Sequence, residues 1–290
     1  MSWLEASVQA DGEAAEAVSE VFNRYYGAVL STDFDDELSD TPVVTVKTYL
    51  PLDEEGLRTR QRIEEALWHL SQIYPLPAPE FRELAEEDWA NAWKKHYHVV
   101  RIGQRIVIKP PWQEHKRQPD EVVIELDPGM AFGTGLHPTT RMCLQAVEEH
   151  LKPGDRVLDL GTGSGILAIA AAKLGAGSVL ALDNDPLAVR TALANAKSNE
   201  VQNVVTAELG SLDKAAGEFD LVLVNILARV IIELADQGLV DRVRPTGLII
   251  LAGIVVEQEA EVMAALREHG MEVVERRQEK DWVALVGGLP

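Results

Sequence analysis

The order of apolar and polar positions changes near residue 120, and the two parts of the chain predict different folds. In the first eighty residues, apolar side chains alternate with polar ones at strand spacing or recur at helical spacing. The predicted order is strand, helix, two strands and helix, carried most clearly by residues 4–10, 13–27, 43–50 and 56–77. This order is typical of a small α+β domain of ferredoxin-like type. We therefore expect such a domain over residues 1–80, with a final strand somewhere after it.

Residues 81–120 differ from both parts and are interpreted as a linker. A helix is predicted over residues 81–97, where the i, i+4 spacing places Trp89 and Trp93 on one face. One or two short strands follow and end at Pro110. Aromatic and basic side chains mix in this tract, as they do in segments that stack on RNA. Such side chains more often pack a linker against its domains, and we favour packing.

From Val122 onward, strands and helices alternate regularly over residues 121–290. Short apolar runs such as residues 219–226 predict buried strands, and stretches with helical spacing follow them. This alternation is typical of a parallel sheet with helices on both faces, because a helix carries the chain back to the start of each parallel strand. The sequence therefore predicts a doubly wound α/β domain as the larger part of the chain.

A glycine bend with the sequence DLGTGSG follows a strand of this domain and opens a helix. Its glycines, Gly161, Gly163 and Gly165, stand where a doubly wound sheet binds its ligands. Glycine lets the backbone turn sharply and approach a ligand closely. Asp183 ends the next strand, where a carboxylate can accept hydrogen bonds from both ribose hydroxyls of a nucleoside. The order of strand, glycines, helix, strand and acid favours a nucleoside site over a plain turn.

Asp159, two residues before the first glycine, bears on which nucleoside binds. A dinucleotide fold has a G-x-G-x-x-G bend that seats a pyrophosphate at a helix N-terminus, whereas this bend has the spacing G-x-G-x-G. A carboxylate at residue 159 would repel a pyrophosphate and attract the ammonium and sulfonium of S-adenosylmethionine. The D-x-G-x-G-x-G arrangement resembles the class I methyltransferases, which have a Rossmann-like sheet. Two strand-like segments at the end of the chain resemble the antiparallel edge hairpin of that class, and Trp282 in the second is interpreted as core filler.

Several motifs narrow the resemblance further. The segments AFGTGLHPTT, GTGSGILAIAAAKLGA, ALDNDP, LVLVNILA and LAGI together are similar to the PrmA family, whose members methylate the large-subunit ribosomal protein L-eleven (L11). The resemblance extends from about Trp89 to the end of the chain. It implies an S-adenosylmethionine-dependent enzyme that methylates amino groups of this protein substrate, and an N-terminal domain that recognises the substrate.

The resemblance also gives a role to a second glycine cluster, residues 127–140 (DPGMAFGTGLHPTT). It implies a cover over the methionine end of the cofactor, with Phe132 against the ligand and Thr140 offering a hydroxyl or backbone contact. The glycines of this loop would let it close and reopen. Thr139 or Thr140 could instead only cap the helix that follows. His137 is interpreted as structural, since a lone histidine beside proline in a loop is a weak candidate for a base.

Asn225 ends the apolar strand FDLVLVN, where methyl donor and substrate should meet. Many enzymes that methylate amide nitrogens or nucleobase amines carry Asn-Pro-Pro-Tyr or a near relative here, with the ring stacked on a planar nitrogen group. This chain has Asn-Ile-Leu-Ala instead, which argues for a target that is not flat, such as a lysine side chain or an N-terminal amine. Asn225 would bind the methionine part of the cofactor or orient the amine. The alternative role is a turn residue at the strand end.

Charge and composition restrict the partners. The 290 residues carry a net charge of −20, which opposes tight binding to bare nucleic acid and favours a basic protein partner. An acidic surface also serves solubility alone. No apolar stretch reaches membrane-spanning length, and the single cysteine fits a reducing compartment, so we expect a cytoplasmic protein. No cluster of histidine, cysteine and aspartate has the spacing of metal ligands, so no metal is expected.

The sequence leaves the catalytic group and part of the function open. No residue is an obvious general base, so deprotonation of the amine through solvent is our hypothesis. A methyltransferase acting on a small-molecule amine or acid would have much the same catalytic half. A non-catalytic ribosome-binding module could keep the same fold. A dehydrogenase would bind NAD instead, and an RNA methyltransferase would need a basic face.

Overall fold

The structure, a computed structural model, describes residues 3–23, 29–31, 43–72, 76–84, 98–126 and 137–290. Residue contacts divide the chain into two compact units, Met1–Tyr97 and His98–Pro290. Each unit has its own sheet and its own buried apolar side chains. The division falls after Tyr97 and does not set residues 81–120 apart.

The first unit contains a four-stranded antiparallel sheet and two helices. Its elements are β1 (Trp3–Asp11), α1 (Gly12–Asn23), β2 (Val29–Ser31), β3 (Val43–Pro51), α2 (Glu54–Ser71) and β4 (Glu80–Leu84). The strand order is β2-β3-β1-β4, with each neighbouring pair antiparallel. The helices contribute Val18, Phe22 and Ile63 to the core, all fully buried. This element order and pairing match the ferredoxin-like arrangement that the sequence predicts.

Strand β4 corrects one prediction. The helix predicted over residues 81–97 is wrong at its beginning, because residues 80–84 form β4 and pair with the first half of β1. Helix propensity differs by at most about 0.7 kcal/mol per residue among ordinary side chains. Pairing outweighs it, since β1 would otherwise leave one row of backbone N–H and C=O groups unpaired. Trp89 and Trp93 lie outside the described residues.

The second unit begins with a three-stranded sheet. Its strands are β5 (Val100–Ile102), β6 (Ile106–Lys109) and β7 (Val122–Glu125). β5 and β6 pair antiparallel, and β6 and β7 pair parallel. The first two are the short strands predicted before Pro110. β5 pairs with β6, and β6 pairs with β7, so this stretch of the chain belongs to the second unit.

The main sheet of the second unit has seven strands. Its elements, in chain order, are α3 (Pro138–His150), β8 (Arg156–Leu160), α4 (Ile166–Leu174), β9 (Ser178–Asp183), α5 (Pro186–Ser198), β10 (Val205–Leu209), β11 (Phe219–Asn225), α6 (Ala228–Asp236), β12 (Val243–Val255), α7 (Glu259–Glu268), β13 (Glu272–Glu279) and β14 (Trp282–Gly288). The strand order is β10-β9-β8-β11-β12-β14-β13. Strands β8 to β12 pair parallel, and β14 runs antiparallel between β12 and β13. The doubly wound sheet and its terminal hairpin are confirmed.

Helices cover both faces of this sheet. Side chains of α3, α4 and α5 share one core with Leu221 and Leu223, whereas side chains of α6 and α7 share another with Val222 and Val224. The four residues are consecutive in β11, and successive side chains of a strand point to opposite faces. All four are buried. A fully apolar run is therefore what a strand covered on both faces requires.

The winding brings three strand ends to one edge of the sheet. β8, β9 and β11 end at Leu160, Asp183 and Asn225. The chain winds outward from β8 in one direction and, from β11, in the other, so the switch point of the sheet lies between these two strands.

None of the helices in the described ranges combines the length and hydropathy that a membrane crossing requires.

Candidate cofactor site

The glycine bend, residues 161–165, leaves β8 at the switch point in a backbone conformation that suits glycine. Gly161 has φ +72° and Gly163 has φ +54°, a region that side chains with a Cβ rarely adopt. A Cβ at Gly161 would also lie 2.3 Å from Cγ2 of Ile226. The bend therefore passes close to the residue that follows β11.

Asp183 joins the bend to the end of β9. The amide of Gly163 donates to Asp183 Oδ2 at 2.9 Å, and the amide of Asp185 donates to Oδ1 at 2.9 Å. The backbone of the bend is held as well, because the amides of Gly161 and Thr162 both donate to the Leu182 carbonyl. Each carboxylate oxygen has two acceptor positions, and the side chain is partly exposed. Asp183 thus keeps acceptor capacity at the sheet edge.

Asp159 lies beneath the bend. Its side chain is 1% exposed, and its Oδ2 accepts a 2.6 Å hydrogen bond from the Thr162 hydroxyl. Its Oδ1 is buried and has no hydrogen-bond partner in the described part of the chain. Burial raises the pKa of Asp159 from 3.8 to about 7; the Thr162 hydroxyl and the Ala168 backbone N–H oppose this rise, and the charge of Asp183 adds to it. A buried carboxylate with an unpaired oxygen is costly unless a cation or donor reaches it.

The structure brings Asn225 and Thr140 together. The Asn225 side-chain amide donates to the Thr140 hydroxyl at 3.4 Å. Thr140 lies in the first turn of α3 and is fully buried, whereas Asn225 is partly exposed at the end of β11. The hydrogen bond joins this strand end to the helix that follows the second glycine cluster.

His137 begins α3, which corrects the alternative reading of the threonines as caps. His137 is the N-cap residue and Pro138 opens the helix. The Nδ1 atom of His137 lies 2.7 Å from the Thr139 hydroxyl, and its ring meets that of Trp282 edge to face, with centroids 4.9 Å apart. Burial lowers the pKa of His137. Neither threonine caps the helix, because both lie within its first turn.

Ile226 and Gly253 form a contact that the sequence analysis missed. Gly253, in β12, has φ +83°, and a Cβ there would lie 2.1 Å from the Ile226 carbonyl oxygen. β12 therefore approaches the backbone after β11 as closely as a glycine allows. The signal was present in the motif LAGI, because a glycine within an apolar strand often marks close backbone approach.

Six of the seven predicted cofactor residues lie in the described part of the chain. The bend links Asp159, Gly161, Gly163 and Asp183 through hydrogen bonds, and Asn225 pairs with Thr140. Ile226 lies between the two groups, next to Asn225 in sequence and against Gly161 in space. Phe132 lies outside the described residues. The partly exposed Asp183 carboxylate, the buried Asp159 carboxylate and the Asn225 amide therefore all lie where β8, β9 and β11 end.

Comparisons with known proteins agree on one family. A family model described as ribosomal protein L11 methyltransferase (PrmA) matches residues 2–289. The chain is 50% identical to the ribosomal protein L11 methyltransferase of Chloroflexus aurantiacus, with 100% of this chain and 98% of the relative covered. It is 44% identical to that of Herpetosiphon aurantiacus, with 100% of both chains covered. The crystal structure of ribosomal protein L11 methylase from Lactobacillus delbrueckii subsp. bulgaricus is similar with a TM-score of 0.63 and 35% identity, covering 67% of this chain and 99% of that one.

Proposed function

Since the chain belongs to the ribosomal protein L11 methyltransferase (PrmA) family, we propose that it transfers methyl groups from S-adenosylmethionine to amino groups of L11. The acceptors are a lysine side chain, the N-terminal amine, or both. The chain is a methyltransferase, and its fold is the Rossmann-like one of its relatives. The identity of the donor, the binding roles of single residues and the nature of the acceptor are our proposal.

The observation that supports S-adenosylmethionine as the methyl donor is the Asp159 carboxylate oxygen that has no hydrogen-bond partner among the described residues. A buried carboxylate whose Oδ1 has no hydrogen-bond partner among the described residues, and whose pKa is raised, supports a positively charged ligand, since a nearby cation favours the ionised form. A diphosphate would meet repulsion at the same place. Asp183 would accept the ribose hydroxyls, and Gly161 and Gly163 would let the bend lie against the nucleoside.

Thr140 and Asn225 would hold the methionine end of the donor. Each keeps hydrogen-bonding capacity beyond the bond between them, because an amide has two donors and an acceptor and a hydroxyl has a donor and two acceptor positions. Phe132 would lie against the ligand. The exposed side chain of Leu227, which follows Ile226, is suited to the aliphatic stem of a lysine rather than to a flat ring.

Methyl transfer would depend mainly on positioning. When bound, S-adenosylmethionine would supply an electrophilic methyl group on its sulfonium, and an amine lone pair would bond to that methyl carbon in line as the carbon–sulfur bond breaks and the thioether leaves. Alignment of donor and acceptor by Asn225 and the bend would supply most of the rate. The amine must first lose a proton, which costs roughly 4–5 kcal/mol for a free lysine at pH 7 but only about 1–2 kcal/mol for an α-amine. We propose that this proton leaves through solvent.

The first unit would recognise the protein substrate. Residues 1–80 carry 16 acidic and 5 basic side chains, which suits a basic ribosomal protein through long-range attraction.

Cys143 is the single cysteine of the chain and is buried, which is consistent with a reducing compartment. We therefore place the reaction in the cytoplasm.

The test is label transfer to purified L11. The full chain is incubated with methyl-labelled S-adenosylmethionine and L11, and the products are mapped by mass spectrometry. We expect label on lysine or N-terminal amines of L11. Cofactor binding without transfer would indicate a non-catalytic ribosome-binding module, and transfer only to small amines or acids would indicate the small-molecule enzyme. Calorimetric binding of NAD, but not of S-adenosylmethionine, would reject the donor.

A further inference from the structure

Two buried asparagines at the end of α5 make contacts that the sequence analysis did not predict. Asn195 lies in the last part of the helix, and Asn199 follows the helix as its C-cap. They are 8% and 4% exposed. Buried side-chain amides are almost always hydrogen-bonded, so their partners show what these two residues hold in place.

Asn195 holds the glycine bend. Its side-chain amide donates to the Ser164 carbonyl oxygen at 2.8 Å. One turn earlier in α5, Ala192 lies against the bend as well, because a Cβ built on Gly165 would be 3.0 Å from the Ala192 Cβ. Two successive turns of α5 therefore support the same stretch of backbone.

Asn199 holds the end of β7. Its Oδ1 accepts from the Glu125 amide at 2.8 Å, and its Nδ2 donates to the Glu125 carbonyl at 2.6 Å. The side chain thus takes the place of a neighbouring strand and satisfies both backbone groups of this residue. Glu125 is the last residue of β7, and the second glycine cluster begins two positions later at Asp127.

The two asparagines are joined to each other. The Nδ2 atom of Asn199 also donates to the Asn195 carbonyl oxygen at 2.9 Å. A continuous path of hydrogen bonds therefore runs from the Ser164 carbonyl through both asparagines to the Glu125 backbone, buried at Asn195 and part-buried at Glu125. Its two ends are the glycine bend and the strand from which the second glycine cluster continues.

We propose that Asn195 and Asn199 are positioning residues that hold the glycine bend and the end of β7 in register for cofactor binding. A shift of the bend relative to the end of β7 has to break one of these hydrogen bonds at α5. Each position must donate to a carbonyl oxygen, which an aspartate carboxylate cannot do, and Asn199 must also accept from the Glu125 amide. This inference rests on the proposed function, since it assumes that the two clusters hold S-adenosylmethionine together.

The experiment uses three substitutions in the full chain: Asn195→Asp, Asn199→Asp and, as a control with the same charge change, Asn203→Asp at an exposed position nearby. Hydrogen–deuterium exchange without cofactor is measured for peptides covering residues 122–126 and 161–165. The hydrogen bonds described above join Asn195 to the bend and to Asn199 and not to β7, yet Asn195→Asp should speed exchange in residues 122–126 as well. Asn199→Asp should likewise speed exchange in the bend.

Cofactor affinity gives the second measurement, made well below the melting temperature of each variant. Both positioning variants should bind S-adenosylmethionine about tenfold more weakly, the loss expected when a hydrogen-bonded group shifts out of place, while the control stays close to the unsubstituted chain. A purely structural role would lower the melting temperature and leave the dissociation constant unchanged. Asn→Ser variants replace the aspartate variants if these do not fold.

Two results would overturn the inference. One is an exchange change confined to the peptide that each substituted residue contacts, and the other is unchanged cofactor affinity in both folded variants. The exchange measurement needs no cofactor, so it is separate from the proposed function. Coupled exchange in a chain that binds no S-adenosylmethionine would support the mechanical link and reject the proposed donor.

Discussion

The side-chain amide of Asn225 lies 3.4 Å from the hydroxyl of Thr140, across 85 positions of sequence. The bond connects the end of a central strand to the first turn of the helix that follows the second glycine cluster. Thr140 is fully buried and Asn225 is partly exposed. Asn225, held by the buried Thr140 hydroxyl, therefore presents a polar side chain at the switch point of the sheet, where ligands of doubly wound folds bind.

Substitution of Asn225 should weaken cofactor binding. We expect Asn225→Ala to raise the dissociation constant of S-adenosylmethionine about tenfold, because the loss of one hydrogen bond costs roughly 1–1.5 kcal/mol. Isothermal titration calorimetry gives the constant, and a melting curve shows whether the variant is folded. Thr140→Val should have a similar effect. Unchanged affinity in a folded Asn225→Ala variant would remove this residue from the cofactor site.

The stability of the cofactor-free protein should depend on the ionisation of Asp159. The pKa of this carboxyl is about 7 in the folded chain, against an ordinary value of 3.8 for an aspartate in the unfolded chain. The folded state then binds more protons than the unfolded state between these pH values, so the free energy of unfolding falls as pH rises through that window. Above pH 7, the ionised Asp159 carboxylate lowers the free energy of unfolding by roughly 4 kcal/mol compared with the protonated form. Urea unfolding at several pH values should show this fall, and Asp159→Asn should flatten it.

Cofactor binding should show the opposite pH dependence. A cationic ligand favours ionised Asp159, so affinity for S-adenosylmethionine should fall as pH drops below about 7, approaching tenfold per pH unit if only the ionised form binds. Calorimetry at several pH values measures this slope. Asp159→Asn should bind more weakly than the unsubstituted chain at high pH and lose the slope. A neutral or anionic ligand for this site would give no such slope.

Much of the fold could be predicted because its signals are local. The apolar run of β11 and the alternation of strands with helices required no knowledge of long-range contacts. The beginning of β4 was mispredicted because its conformation is decided by pairing with β1, which lies more than seventy residues away. The cap of α3 could not be assigned from the sequence for a related reason: His137 is the N-cap, with its ring against Trp282, a residue of the last strand.

The candidate site divides in the same way. The bend and Asp183 could be predicted from spacing, because a parallel βαβ unit fixes where the two strand ends meet. The hydrogen bond between Thr140 and Asn225 depends on how α3 packs against the sheet. From the sequence, only the family resemblance indicated that Thr140 belongs to the site. Asn195 was missed because an asparagine in a polar-looking helix gives no sign of burial. Its partner depends on how α5 lies against the bend.

Removal of the Asp183 carboxylate should impair binding of the nucleoside part. The Asp183 carboxylate accepts from two backbone amides, and Asp183→Asn would turn an N–H donor toward one of them. The substitution would also weaken the acceptance of hydrogen bonds from the ribose. We expect affinity for S-adenosylmethionine to fall about tenfold or more, as for other lost hydrogen bonds to a charged group. The matched control is Asp185→Asn, since Asp185 only caps α5 through the Leu187 amide, and asparagine caps equally well. Equal losses in both variants would contradict a binding role for Asp183.

A side chain at Gly161 should destabilise the fold through Ile226. Gly161→Ala combines a positive φ with a Cβ placed 2.3 Å from Cγ2 of Ile226, and we expect it to lower the free energy of unfolding by about 1–3 kcal/mol. Adding Ile226→Ala removes the overlapping methyl group. The double variant should then lose less stability than the two single losses combined. Strict additivity in urea unfolding would show that the overlap is not the cause.

Removal of residues 1–97, the first compact unit, should separate substrate recognition from cofactor binding. The second unit contains the glycine bend, Asp183, Thr140 and Asn225, so affinity for S-adenosylmethionine should stay within about twofold, a difference of roughly 0.4 kcal/mol. Methylation of L11 should fall steeply, because the acidic unit that we propose attracts the basic substrate is gone. In the full chain, the same attraction predicts that kcat/KM for L11 declines with added salt, since exposed charges are screened beyond about 10 Å at 0.1 M ionic strength. Loss of cofactor binding together with methylation, in a truncated chain that still folds, would contradict this division of labour.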